Sequence, residues 1–460
     1  MIGNSGTETE FLYKKLSLRP RITLAAMLTI ALGYAVFFLS APIAQADRSG
    51  REHRNLYLLA LGIAGFGQAI YSRRGQTRRA KNGAIFWLAL LLPGYAAFQL
   101  LPLPLSLLRL LSPARRELMD ALAPLSLQPE FAPLSVAPSL TLEHFLLFTA
   151  YALVFFGIRE AARADRGRLW LPVLPILVIG VWQAGWGVSQ FFSGSAEAFA
   201  HGTYPIRNHF AGFLEMALPF TIAYGAAAFG KKGWGGPMSA AGAFRVGIGF
   251  AAAGLICAGI LCSLSRMGLA ASGCSLVLMA ILALAGKFKA RTRWAIVGLL
   301  ILTLVAGLAL LAPAQVILRF ANITGEDRPH VWHDTLRLIA AYPLFGCGLG
   351  GYQPAFEKFK TSAFDLVQDY AHNDYLQYLA ELGAAGFLIA GTLLAWIGVR
   401  AVRSSLLDPD PDARWLGLAS TAALAAILIH STADFNLYVP ANAILLAWIC
   451  GLAAAPSAVK

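Results

Sequence analysis

The chain has 460 residues, of which 57% are hydrophobic and only 13% charged, and its formal net charge is +13. This composition excludes an ordinary soluble domain, in which about 25% of residues are charged. It also argues against a nucleic-acid-binding protein, because no aromatic-basic module accompanies the positive charge. Several apolar runs are roughly 18 residues or longer, enough to cross the hydrocarbon core of a bilayer. We therefore predict an all-α polytopic membrane protein surrounded by membrane lipids.

About twelve hydrophobic segments suit transmembrane helices. They begin near Ile22, Leu56, Ala84, Leu142, Leu169, His209, Phe244, Met267, Trp294, Gly383, Trp415 and Leu437. The first is also compatible with a cleaved signal peptide, since basic residues precede it and "APIAQA" follows it.

The basic residues predict the orientation of these segments. With the N-terminus in the cytoplasm, the connections "RRGQTRRAK", "REAARADRGR" and "KFKARTR" all fall on the cytoplasmic side, as the positive-inside rule requires. One large loop, residues 313–382, then lies on the outer face, with a helix predicted from Pro329 to Ala341 and a Gly-rich turn in "YPLFGCGLGGYQPAF".

Three arginines lie at the outer ends of predicted spans or in the large loop: Arg207, Arg266 and Arg328. A guanidinium group suits phosphate oxygens, which it binds through two parallel hydrogen bonds. The arginines therefore indicate a membrane substrate that carries phosphate, such as a lipid-linked diphosphate sugar. The alternatives are interaction with lipid headgroups and, for Arg328, pairing with Glu326 or Asp327.

The stretch "DYAHNDYLQYLAELGAAGFLIAG" leads from polar residues into an apolar span. Asn373 or Asp374 is suited to cap a helix, and Asp374, Gln377 and Glu381 share one face of it. His372 stands just before this helix, where it could accept a proton from a sugar hydroxyl near neutral pH. The alternative is a capped helix with an incidental histidine.

The same stretch resembles the signature of the O-antigen ligase and polymerase superfamily. His372 and Asn373 are followed by nine residues, Gly383, two residues and Gly386, as in the ligase pattern. "SLSRMGLAA", "DRPHVWHDTLRLIAAYPLFGCGLGGY" and "RNHFAGFLEMALP" resemble other parts of the superfamily in order and context, although Met267 stands where glycine is common. The resemblance extends from about Arg207 to Arg400.

The resemblance implies a GT-C-like glycosyltransferase of the bacterial inner membrane. Such an enzyme transfers a glycan from undecaprenyl diphosphate to lipid A-core at the periplasmic face, inverting the anomeric centre without a metal or another cofactor. It places His372 at the catalytic position and Arg266 and Arg328 at the donor diphosphate, with Arg207 a weaker candidate. Asn373 is a supporting residue, and Asp369, Asp374 or Glu381 would orient the imidazole.

The predicted organisation has three parts: N-terminal helices with a Pro-rich outer segment in residues 1–206, a ligase-like core in 207–400, and a C-terminal hairpin in 401–460. In the hairpin, "LIHSTADFNLYVPAN" places His430, Asp434 and Asn436 at the outer ends of the last two spans. They either line the acceptor side of the cavity or form a tight polar turn, and the second interpretation is slightly favoured.

Several functional alternatives stay open. A polysaccharide polymerase and a protein O-oligosaccharyltransferase share the donor and differ only in the acceptor. A transporter or flippase of lipid-linked sugars also fits many spans and a basic outer cavity. A zinc site would draw on the three histidines His330, His333 and His372 with Asp334 and Asp369.

Overall fold

The computed structural model describes residues 84–455, apart from 126, 165–167, 194–198, 231–237, 286, 312–327 and 362–366. The predicted spans near Ile22 and Leu56 lie outside the described residues. The helices are α1 Ala84–Leu100, α2 Leu105–Leu111, α3 Pro113–Asp120, α4 Pro138–Ala164, α5 Leu174–Phe192, α6 Arg207–Gly230, α7 Ala240–Cys262, α8 Arg266–Ala283, α9 Ala290–Leu311, α10 Arg328–Ala341, α11 Tyr352–Phe356, α12 Asp374–Leu407, α13 Pro411–His430 and α14 Pro440–Ala453.

Within the described residues, seven helical segments are long and apolar enough to cross a membrane. They are Pro138–Arg163, Leu171–Phe192, Arg207–Phe229, Ala240–Cys262, Arg266–Ala283, Asp374–Leu407 and Pro411–His430. Two shorter apolar helices, Ile85–Leu100 and Pro440–Ala453, accompany them. The prediction of a helical protein with several membrane spans is confirmed, while the total of about twelve stays a prediction.

The all-α prediction is confirmed for the described residues, whose strands form a single minimal pair. The Pro-rich segment after α1 contains two strands, β1 Leu103–Pro104 and β2 Phe131–Ala132, which pair antiparallel. Each strand has only two residues, because a proline ends β1 and another follows β2. Proline has no backbone N–H that could extend the hydrogen bonding between the strands. The pair folds the segment back on itself beside the helix bundle.

Helix α6 lies at the centre of the bundle and packs against α7, α13, α8 and α5. Its side chains Phe210, Phe213, Leu214 and Phe220 are all fully buried. A helix that is apolar around most of its surface is stable only when other helices cover it. The described parts of four connections, residues 101–125 with 127–137, 199–206, 342–361 with 367–373, and 431–439, meet at one end of the bundle, which we call the polar end.

Helix α12 is interrupted at Gly383. The sequence predicted a span beginning near this residue, but the helix begins at Asp374 and breaks at Gly383, where φ is +62° and ψ is −175°. A break exposes backbone carbonyls that need new partners. The Gln99 side chain donates to the Glu381 carbonyl at 2.8 Å, and the Tyr95 hydroxyl donates to the Leu382 carbonyl at 2.6 Å.

The Gly-rich turn after α10 accepts hydrogen bonds from the backbone N–H groups that follow the break. The backbone N–H of Ala384 donates to the Pro343 carbonyl at 2.8 Å, and that of Ala385 donates to the Leu344 carbonyl at 3.1 Å. Irregular backbone at membrane depth is tolerated where protein groups satisfy it in this way. The interruption therefore joins the first nine residues of α12 to the polar end and leaves the rest as a membrane span.

Candidate functional site

The segment that follows α13, residues 431–437, holds the start of α12 in place. The Asn373 side chain caps α12 and donates its Nδ2–H to the Thr432 carbonyl at 2.9 Å. The Asp374 N–H donates to the Ser431 carbonyl at 3.0 Å, and the Asp374 carboxylate accepts the Ser431 hydroxyl at 2.7 Å. We call residues 431–437 the C-terminal turn.

His372 lies directly before this cap, half-buried, with a positive φ of +50°. Its ring packs edge-on against Phe435 of the C-terminal turn, with 5.0 Å between the ring centroids. The neighbouring Ala371 is anchored on both sides, since its carbonyl accepts the Trp332 indole N–H at 2.9 Å and its N–H donates to Gln377 at 2.8 Å. A positive φ at a histidine is uncommon and is found where surrounding contacts impose it.

Arg328 is the first residue of α10 and lies at the same turn. Its Nη1 donates to the carbonyl of Ala433 at 2.7 Å. His372 and Arg328 are far apart in the sequence, but both contact the C-terminal turn. His372 contacts Phe435 and Arg328 contacts Ala433.

Arg266 is the first residue of α8, which begins at the polar end with Ser265 as its cap. A Cβ on Gly268 would lie 2.6 Å from the Ala211 side chain of α6, so the two helices approach closely at this point. The next α6 residue, Gly212, faces Asn436 of the C-terminal turn equally closely. The starts of α6 and α8 and the C-terminal turn are therefore neighbours, and Arg266 lies at their end of the bundle.

The remaining predicted residues lie in different surroundings. The Arg207 guanidinium lies 4.9 Å from the centre of the Phe199 ring, in a cation–π contact. Asp369 is exposed. These placements leave the roles predicted for both residues as hypotheses.

Glu381 is fully buried, and its carboxylate contacts the Gly-rich segment after α10 as well as Tyr438 and Gln377. Its carboxylate accepts the backbone N–H of Gly350 at 2.7 Å and that of Tyr352 at 3.2 Å, and it also accepts the Tyr438 hydroxyl. A buried carboxylate with several donors is stable because each donor replaces a lost water contact. These contacts indicate that Glu381 fixes the Gly-rich segment to the first part of α12.

Two of the three histidines considered for a metal site lie on the exposed face of α10, and the third is His372 before α12. His330 and His333 are exposed, and Asp334 is buried, where its carboxylate accepts the backbone N–H and the hydroxyl of Thr361, both at 2.8 Å. Among the residues described, His, Cys, Asp and Glu side chains form no group of three that could hold a metal ion.

Sequence reasoning missed three contributors to this end of the bundle. Tyr95 and Gln99 support the α12 interruption from α1, and nothing in their local sequence marks them for that role. Glu215 is fully buried and contacts His430, with 2.9 Å between Oε2 and Nδ1. A single acid within an apolar span was a detectable signal, because such residues are costly to bury and usually have a function.

The comparison with protein families agrees with the sequence signature. Residues 251–391 match the family model described as O-antigen ligase. This region belongs to the O-antigen ligase superfamily. It contains Arg266, Arg328 and His372 together with both glycines of the signature. No curated protein matches the chain.

The match supports a membrane enzyme of the O-antigen ligase and polymerase type in the broad sense. It begins within α7 and ends within α12. The C-terminal turn lies outside the matched region, although it contacts the start of α12 and Arg328.

Proposed function

We propose that this protein is a GT-C-like glycosyltransferase of the bacterial inner membrane, with its N-terminus in the cytoplasm. It transfers a glycan from undecaprenyl diphosphate to an acceptor at the periplasmic face, and we favour lipid A-core as the acceptor. The observation that carries the proposal is the placement of His372 and Arg328 on the same C-terminal turn, next to the helix that Arg266 begins. A general base and phosphate-binding cations are the groups that this reaction needs.

The proposed reaction is a single displacement at the anomeric carbon. The acceptor hydroxyl oxygen forms a bond to this carbon while the bond from the carbon to the diphosphate oxygen breaks. The diphosphate leaves with the electron pair, and His372 takes the proton of the hydroxyl group. Because attack and departure occur on opposite sides, the anomeric configuration inverts.

Arg266 and Arg328 would stabilise the negative charge that grows on the leaving diphosphate. A guanidinium has five N–H donors in a fixed fork. The bond from Arg328 Nη1 to the Ala433 carbonyl sets the direction of that fork. Since two cations neutralise the diphosphate without a metal ion, the proposed mechanism is metal-independent.

Two alternatives concern the acceptor and the class of protein. A polysaccharide polymerase or a protein O-oligosaccharyltransferase would use the same donor groups with another acceptor. A transporter or flippase of lipid-linked sugars would use arginines for binding only. The side chains at the polar end favour chemistry over transport, because a histidine and an arginine converge on one turn at one end of the bundle.

The test is transfer by the purified protein in liposomes without an ion gradient. The donor is an undecaprenyl-diphosphate-linked glycan, and separate reactions receive lipid A-core, a second donor molecule, or a Ser/Thr-rich acceptor peptide. We expect glycosylated lipid A-core with the wild-type protein and at least a hundredfold lower rate with His372→Ala, since general-base catalysis contributes about 10²–10⁴-fold.

His330→Ala is the matched control, because His330 is an exposed histidine on α10. It should retain the wild-type rate, and its loss of activity would favour the metal alternative instead. Product in the other two reactions would identify a polymerase or a protein glycosyltransferase. Movement of the donor across the bilayer with no new glycosidic bond would overturn the proposal in favour of transport.

A further inference from the structure

Four buried ionisable side chains form a chain beneath the C-terminal turn. Glu215 Oε2 lies 2.9 Å from His430 Nδ1. His430 Nε2 lies 3.7 Å from Asp434 Oδ2, and Asp434 Oδ1 lies 3.7 Å from His209 Nε2. Each of the four side chains is at most 4% exposed. We call these residues the buried network.

The buried network joins three elements. Glu215 and His209 belong to α6, His430 ends α13, and Asp434 belongs to the C-terminal turn. Glu215 is eight residues from the start of α6, which places it about 12 Å along the helix. Buried ionisable groups are costly, and apolar packing often stabilises a protein as well or better. Retention of four of them indicates a role other than stability.

Three consecutive residues of the turn connect the buried network to the proposed site. Ala433 accepts the Arg328 hydrogen bond at 2.7 Å. Asp434 belongs to the network itself. The Phe435 ring contacts both His209, at 4.6 Å between centroids, and His372, at 5.0 Å. A change in the side chain of Asp434 would therefore alter the two adjacent contacts, from Ala433 to Arg328 and from Phe435 to His372.

The charge state of Asp434 agrees with this arrangement. Burial alone would raise the pKa of its carboxyl group, but the neighbouring His209 and His430 rings hold that pKa well below its usual value. Asp434 is therefore an anion at neutral pH, and it attracts both imidazoles to the turn. Salt has little effect on the attraction between Asp434 and the two imidazoles, because buried charges are poorly screened.

We propose that the buried network of Glu215, His430, Asp434 and His209 is a positioning device for the transfer reaction. The network fixes the C-terminal turn on α6. The fixed turn then orients Arg328 through Ala433 and His372 through Phe435. The inference rests on the proposed function and adds four residues to it, none of which touches the reacting atoms.

The test compares Glu215→Gln, Asp434→Asn and the double variant in the liposome transfer assay. Both amides keep the shape of the side chain and cannot ionise. We expect kcat to fall at least tenfold in each single variant, with monodisperse protein and a donor KM within about threefold of wild type. The double variant should be no slower than the slower single variant, because residues acting as one unit are not additive.

Glu160→Gln is the matched control. Glu160 is also a buried acid with cationic partners, Arg159 and Arg163, but it lies at the other end of the bundle near Ala454. It should leave kcat unchanged. Wild-type kcat in both network variants, or multiplied effects in the double variant, would overturn the proposal.

Phe435→Leu keeps the experiment decisive if the charge variants do not fold. It removes the ring between the network and His372 without burying or exposing a charge. We expect a kcat reduced about tenfold or more with little change in donor KM, and an unchanged kcat would overturn the positioning role. Full activity of His372→Ala would refute the proposed function itself, whereas inactivity of His372→Ala with active network variants would refute only this inference.

Discussion

The interruption of α12 predicts that Gly383 tolerates no side chain. At φ +62° and ψ −175° the backbone lies in a region that is essentially restricted to glycine. A Cβ at this position would lie 2.5 Å from the backbone nitrogen of Gly346 and even closer to the carbonyl oxygen of Leu344. Both atoms belong to backbone, so neither can rotate away.

The stability lost in Gly383→Ala has two contributions. The unfavourable backbone conformation costs about 1–3 kcal/mol. The steric overlap forces the Gly-rich segment or α12 to shift, which costs about 1–3 kcal/mol more. Gly383→Ala should therefore lose about 2–6 kcal/mol of stability, a large part of the about 5–15 kcal/mol that holds a typical protein folded.

The assay is thermal denaturation in detergent, followed by size-exclusion chromatography of the remaining monodisperse protein. Gly391→Ala is the control, because Gly391 lies in the same helix and a Cβ there meets no atom within 4 Å. That substitution should be neutral or stabilise the helix by up to about 1 kcal/mol. Equal denaturation temperatures for the two variants would refute the interruption of α12 at Gly383.

Two further predictions concern buried hydrogen bonds. Gln99→Leu leaves the buried backbone N–H of Leu349 without its acceptor, the Gln99 Oε1 at 3.0 Å, and should cost about 1–3 kcal/mol in the same denaturation assay. The exposed Gln128→Leu should cost nothing measurable, and equal values would contradict the role of Gln99. The pKa of Asp334 lies below its usual value, because the hydrogen bonds from Thr361 outweigh the effect of burial. Its contribution to stability is therefore complete above the unfolded-state pKa of about 3.9 and is lost as the pH falls through the lower folded-state pKa. Hydrogen exchange at Thr361, corrected for intrinsic rates, should show this loss in the wild type and not in Asp334→Asn, and equal pH profiles would contradict it.

Much of the architecture follows from local patterns in the sequence. Long apolar runs and the charges between them are enough to predict helices that cross a bilayer, because hydrocarbon admits only backbone that is fully hydrogen-bonded. The helix predicted from Pro329 to Ala341 is α10, Arg328–Ala341, since its proline suits a first helical turn. A cap at Asn373 or Asp374 was predicted in the same way from the side chains, and Asn373 provides it.

The superfamily signature was also visible in the sequence, and the match over residues 251–391 confirms it. The structure adds a physical reason for part of the spacing. Nine residues separate Asn373 from Gly383 because a short helix fits between the cap and the interruption. A reading of the sequence alone placed the start of the span at Gly383, since periodicity does not distinguish one continuous helix from two that meet at a glycine.

The convergence of His372 and Arg328 on the C-terminal turn depends on tertiary structure alone. The turn was predicted as a polar connection with a slight preference for a purely structural role, yet it contacts both residues and carries Asp434 of the buried network. Such contacts join residues more than 50 positions apart, and no local propensity or periodicity encodes them. Amino-acid sequence specified which segments would be helices and where polar groups would meet the membrane edge, whereas packing around α6 decided which of those groups became neighbours.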